Sequence, residues 1–129
     1  MKCHFCEREN QECYEYKLLK LIDCICNECF DKHIEPIKLF LNNTNNMLLI
    51  KTNYELELID ISNGKFNIKK IQELIDGYIE IYPYKSDEHL VLVNEDGINL
   101  RLEFNKLAQD IFNLYAFGNV IIIPKTYMK

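Results

Sequence analysis

The feature that most narrows what this chain can fold into is the spacing of its cysteines. All six lie within residues 3–29, and four of them form two Cys-x2-Cys pairs, Cys3 with Cys6 and Cys26 with Cys29. A short Cys-x2-Cys turn lets two thiolates reach one ion while nearby backbone N–H groups soften their charge. Zinc is satisfied by four such soft donors in a tetrahedron. The spacing therefore predicts a closed structural zinc site on Cys3, Cys6, Cys26 and Cys29, against two competing readings: buried unliganded thiols, and an iron–sulfur or redox centre. Four protein donors leave no position for water, so the metal is expected to replace the core that a segment of about forty residues cannot build. The stretch between the pairs is expected to form a hairpin, with Asn27 and Cys29 opening a helix, which is a treble-clef arrangement. Cys24 reads as a packing residue, Cys13 is uninformative, and His4 and His33 are ligands by chemistry alone.

Composition sets the remaining bounds. With 129 residues, 48% of them hydrophobic, and only four Gly and three Pro, the chain is that of a folded globular protein. No apolar run approaches the ~20 residues that span a bilayer, and the chain opens on a Cys motif, so export is not expected. In a cytoplasmic setting, clustered Cys point to metal before disulfide. The net charge is −5. Residues 1–45 carry six Lys and Arg against eight Asp and Glu, and the rest carries nine against twelve. Neither half offers the basic field by which most nucleic-acid binders hold phosphates.

Three zones follow along the chain: residues 1–41 as the zinc-binding module, 42–46 as a polar linker, and 47–129 as a small α+β domain. In the first, Phe30, Ile34, Ile37 and Leu41 recur near the helical period, and Pro36 predicts a kink or restart. The linker is Asn42-Asn43-Thr44-Asn45-Asn46. The third zone reads as β-β-α-β-β-β-α-β, with a mostly antiparallel sheet and two helices. Its strands are expected in MLLIKT, YELELIDI, YIEIYPY, HLVLVNED, INLRLEF and NVIIIP. A first helix has Ile68, Ile71, Leu74 and Ile75 as its buried stripe and Gly77 as its C-cap; the second runs from Asn105, its N-cap, to Tyr115.

Two resemblances arise from these residues. The segment CHFCERENQECYEYKLLKLIDCICNECFDKHIEPI resembles the N-terminal zinc-binding domain of the ClpX unfoldase family, through the two Cys pairs, Ile25 and Asn27-Glu28. That likeness implies a module that dimerises and binds partner proteins or peptides. The ATPase part is missing, since no G-x-x-x-x-G-K-[ST] occurs, and Glu7 stands where the family has glycine. Residues 47–127 resemble a phage, plasmid and bacterial family labelled domain of unknown function 3846. The match is carried by Ile71-Gln72-Glu73-Leu74-Ile75, by Gly77-Tyr78-Ile79-Glu80, by the turn Asn94-Glu95-Asp96-Gly97, by Asn105 with Ala108, and by Gly118-Asn119-Val120. In that family an acidic residue usually follows the glycine that Gly118 matches. The resemblance brings no activity, but implies a mobile-element origin.

The expected function is a noncatalytic interaction or adaptor protein with zinc as its cofactor and a protein partner or second copy as its target. Phe30, Ile37, Phe40 and Leu41 are the candidate contacts on the first zone, where the helix carries more apolar side chains than a thin module can bury. In the third zone the candidates for partner or ligand contact are Tyr78, Glu80, Asn94, Glu95 and Asn105. Glu95 lies in a turn whose Asn, Asp and Gly residues serve geometry. No Ser/His/Asp set is readable and His89 stands alone, so catalysis is not expected. The alternatives are zinc-dependent nucleic-acid binding, which the acidic balance opposes, and sequestration of a small ligand by residues 47–127.

Overall fold

The computed structural model describes residues 13–18, 21–26, 30–42, 45–61, 68–83 and 88–125. Strands β1 (Cys13–Leu18) and β2 (Leu21–Cys26) form an antiparallel hairpin in which Cys13 is the register partner of Cys26. A π-helical turn (Phe30–Ile34) runs into α1 (Glu35–Leu41). Pro36 sits in the first turn of α1, where its missing N–H costs no intrahelical bond, so the helix restarts at the proline as expected.

The rest is a five-stranded sheet with helices on both faces. Its strands are β3 (Asn46–Ile50), β4 (Leu56–Asp60), β5 (Ile79–Tyr82), β6 (His89–Asn94) and β7 (Val120–Pro124). Helix α2 (Ile68–Ile75) joins β4 to β5, and α3 (Lys106–Phe112) precedes β7. The spatial order is β4-β3-β7-β6-β5, and every neighbouring pair is antiparallel. The last strand in sequence is thus the central one, wedged between the β3–β4 and β5–β6 hairpins.

That placement explains why β3, β6 and β7 read as nearly unbroken apolar runs. Alternate residues of a strand face opposite sides of a sheet, and here both sides are covered. Leu48, Ile50, Val91, Val93, Val120 and Ile122 pack with Ile34, Ile37 and Phe40 of the first helical segment and with Leu107, Ala108 and Ile111 of α3. Met47, Leu49, Leu92, Ile121 and Ile123 pack with Ile71 and Ile75 of α2. Each fully buried aliphatic side chain contributes about 1.5–3 kcal/mol of transfer free energy. Ile68 is exposed at the start of α2 rather than part of its buried stripe.

Several expectations are corrected. A closed zinc site needs four donors about 2.0–2.3 Å from one ion, and among the described residues no group of three or more His, Cys, Asp or Glu could hold a metal. Cys3, Cys6 and Cys29 lie outside the described residues, and Cys26 is a backbone position in β2. The zinc-bound treble clef, zinc as cofactor, the zinc-stabilised docking module, zinc-dependent nucleic-acid binding and the ClpX-like likeness are therefore not carried forward. What stands is an α+β fold. The apolar surplus of residues 30–41 has a different outlet from the one expected: Ile37 and Phe40, each 2% exposed, are covered by the sheet's own core instead of facing a partner.

The expected strand INLRLEF is also absent. Residues 94–102 instead fold on themselves through Gly97 N–H to Asn94 O, Leu100 N–H to Asp96 O and Leu102 N–H to Gly97 O. Its alternation of Ile98, Leu100 and Leu102 has no neighbouring strand to pair with, and Ile98 and Leu100 remain exposed. Helix α3 is shorter than expected because Asn113 takes the left-handed conformation that ends it (φ 56°, ψ 38°). Among the described residues no helix is long and apolar enough to cross a membrane.

Candidate functional site

The register of β5 against β6 builds the floor of a cleft. Glu80 pairs with Val93 and Tyr82 with Val91, so Glu80, Tyr82 and Val93 share the face that carries α1 and α3. At this edge of the sheet the face is open, and a cleft of about 410 Å³ results. One wall is the turn of residues 94–99, and the other is Tyr115, Ala116 and Phe117, the segment between α3 and β7.

Both walls are tied to the fold through their backbone N–H groups. The N–H of Tyr115 donates to Tyr82 Oη at 3.3 Å, and the N–H of Glu95 donates to Tyr78 O at 3.0 Å. The walls converge at Gly97, where a β-carbon would stand 2.5 Å from Phe117 O, so no larger residue fits without moving the wall. Phe117 in turn pairs with Phe104 in an isolated antiparallel bridge, their rings 5.4 Å apart.

Asn94 joins this cleft to α2. Its Nδ2 donates to Ile75 O at 3.0 Å, satisfying a carbonyl at the helix C-terminus, while its Oδ1 accepts the N–H of Asp96 at 2.8 Å and sets the turn. The side chain is buried with both ends engaged, which makes it a framework residue at the cleft margin. Asn105 has a similar role away from the cleft. Its Oδ1 caps α3 by accepting from Ala108 N–H at 3.0 Å, and its Nδ2 donates to Ile50 O at 2.8 Å and Gly118 O at 3.0 Å. The expected N-cap is thus present, and the buried amide uses both its N–H groups, one on β3 and one on the segment leading into β7.

The electrostatics of the lining are one-sided. Glu80, Glu95 and Asp96 supply carboxylates, and no Lys, Arg or His is among the described lining residues. Asp96 Oδ1 accepts weakly from Asn99 Nδ2 at 3.4 Å. Tyr82, Tyr115 and Phe117 supply aromatic rings, with Tyr115 more than half exposed.

Of the candidates marked in the sequence, Glu80, Asn94 and Glu95 meet at the cleft. Tyr78 is exposed beside it, Asn105 is sealed in the core, and Leu41 is half-exposed at the end of α1. Phe30 opens the π-helical turn. Nothing in the sequence marks Tyr82, Ile98, Tyr115 and Phe117 as contacts, and Asp96, expected to serve turn geometry, lines the cleft as well. Strand alternation places Tyr82 on the same face as Glu80, and only the position of β7 brings residues 115–117 against the 94–99 turn.

No curated protein and no solved structure matches the chain at a significant level. The family model described as domain of unknown function DUF3846 matches residues 42–126, the stretch that supplies the whole sheet and the cleft, and the chain belongs to that family.

Proposed function

We propose that this protein is a noncatalytic binding protein whose cleft captures a small molecule, acting in the cytoplasm. The observation that carries this reading is the cleft itself. Its volume of about 410 Å³ falls within the roughly 300–1,000 Å³ of small-molecule sites, and its lining has their usual character of apolar and aromatic walls with a few convergent polar groups. The floor is sheet and the walls are pinned by the Tyr115–Tyr82 and Asn94 bonds, so little conformational entropy is lost on binding. The lining offers carboxylates, amides and phenols for holding a ligand.

Native mass spectrometry of the full chain, equilibrated with a small-molecule extract of the native host, tests this. A Glu80→Trp variant fills the cleft floor from an exposed strand position where an aromatic residue suits the backbone. An adduct on the wild-type chain that disappears in the folded variant is expected. Equal adduct on both, or no adduct on either, would sink the proposal.

A second reading, a protein partner or second copy docked on β5, is favoured by one observation. This edge strand carries exposed Ile81, with exposed Tyr78 beside it, and an unpaired edge with apolar side chains is a template for strand addition. Light scattering over a concentration series distinguishes it: a mass that rises with concentration and falls back to monomer in Ile81→Lys supports a second copy, and a constant monomer mass removes it.

A further inference from the structure

We infer that the ligand of the cleft is a small organic cation, an ammonium or guanidinium group carried on a flat or apolar body. This rests on the cleft being a binding site. Three features of the lining converge on that chemistry. The first is charge: Glu80 stands on the floor, Glu95 and Asp96 on the 94–99 wall, and the described lining holds no cationic side chain to balance them. The salt bridges among the described residues, Lys51 with Glu57 and Lys106 with Asp110, engage none of the three. A bound anion would face these carboxylates, whereas a cation could pair with them.

The second feature is the aromatic surface. Tyr82 and Tyr115 are linked by the Tyr115 N–H to Tyr82 Oη bond, and Phe117 follows on the same wall. Ring faces attract cations through their quadrupoles and pack against flat apolar bodies. The third is the distribution of polarity. Val93, Ile98 and Ala116 alternate with the polar groups, so the cleft suits a ligand with an apolar part and one charged end rather than a fully hydrated ion.

Three probes of one shape separate charge from shape: phenethylammonium, neutral 2-phenylethanol and anionic 3-phenylpropionate. Each is titrated into the full chain at pH 7, and binding is followed by NMR on the ring signals of Tyr82, Tyr115 and Phe117. The cation is expected to bind about tenfold more tightly than the neutral probe, which corresponds to one favourable charge contact, with the anion weakest. Added salt should narrow the gap. Glu80→Gln and, separately, Glu95→Gln should each reduce the cation's advantage several-fold while leaving 2-phenylethanol unchanged. Glu73→Gln, at an exposed position of α2 outside the cleft, should change neither.

If the neutral or anionic probe binds as tightly as the cation, the inference is overturned while the cleft remains a binding site. If no probe shifts the three ring signals, both readings fall. A cation preference that survives in both Glu80→Gln and Glu95→Gln would also overturn the assignment of charge recognition to this lining.

Discussion

A β-carbon placed on Gly77 would lie 2.6 Å from Asn94 Nδ2, closer than any real contact allows. The glycine that follows α2 therefore serves Asn94. The left-handed residue that ends the helix is its neighbour Asp76, at φ 61°. Asn94 uses the space to cap α2 through Ile75 O and to shape the cleft turn through Asp96 N–H.

Gly77→Ala is expected to cost about 1–3 kcal/mol, since the Asn94 amide must leave Ile75 O without a partner. Asn94→Ala should cost a similar amount. The double variant should cost clearly less than the sum, because both act on one contact. Urea unfolding of the four proteins measures the coupling, and additive losses would show that the contact is not shared.

Acid should destabilise the fold through His33. Burial, with help from the neighbouring Lys32 cation and against the pull of Asp110, pushes its imidazole down to about 4 from 6.5. The ring is packed edge-on to Tyr54, with centroids 5.2 Å apart. Between pH 6.5 and about 4 the unfolded chain binds a proton that the folded chain refuses, so stability falls as pH drops through that window. The loss reaches on the order of 3 kcal/mol at its acid end, and His33 contributes no slope above it. Comparing His33→Phe with the wild type across pH 4–7 isolates this slope; identical profiles would contradict it.

Two isoleucines should behave differently, Ile68 from the expected buried stripe of α2 and Ile121 from the last strand. Ile121, on central β7 and fully buried, should cost about 2–5 kcal/mol when changed to Ala. Ile68, exposed at the first turn of α2, should change stability by no more than about 0.5 kcal/mol. Chemical denaturation of the two variants decides it.

Asn119 bridges two segments: its Oδ1 accepts Thr52 N–H at 3.1 Å and its Nδ2 donates to Leu74 O at 3.0 Å. An acidic residue here keeps the first bond and loses the second. Asn119→Asp should therefore cost about 1–2 kcal/mol and Asn119→Ala more. Amide exchange at Thr52 should stay protected in the Asp variant and open in the Ala variant.

Residue pattern alone determined the kinds of elements present. Local chemistry made the β3, β4, β6 and β7 runs strands, gave α2 its Ile71–Ile75 face, capped α3 at Asn105 and restarted the first helix at Pro36. These features depend on neighbours within a few positions, which a linear reading captures. The pattern misled where a local signal admitted two environments. The alternating INLRLEF looked like a strand, yet residues 97–102 close in turns and only its Phe104 end pairs, in a single bridge with Phe117. The cysteine pairs implied a metal centre that finds no donor group among the described residues. Ile37 and Phe40 looked like surplus surface because nothing in the sequence places them against β3 and β7.

Tertiary structure decided the rest, because a strand's neighbour is chosen by long-range register and by burial on both faces. Inserting β7 between the two hairpins is what brings Tyr115 and Phe117, far along the chain, to Glu80 and Tyr82. The cleft exists only through that juxtaposition, and no short stretch of residues carries its signature.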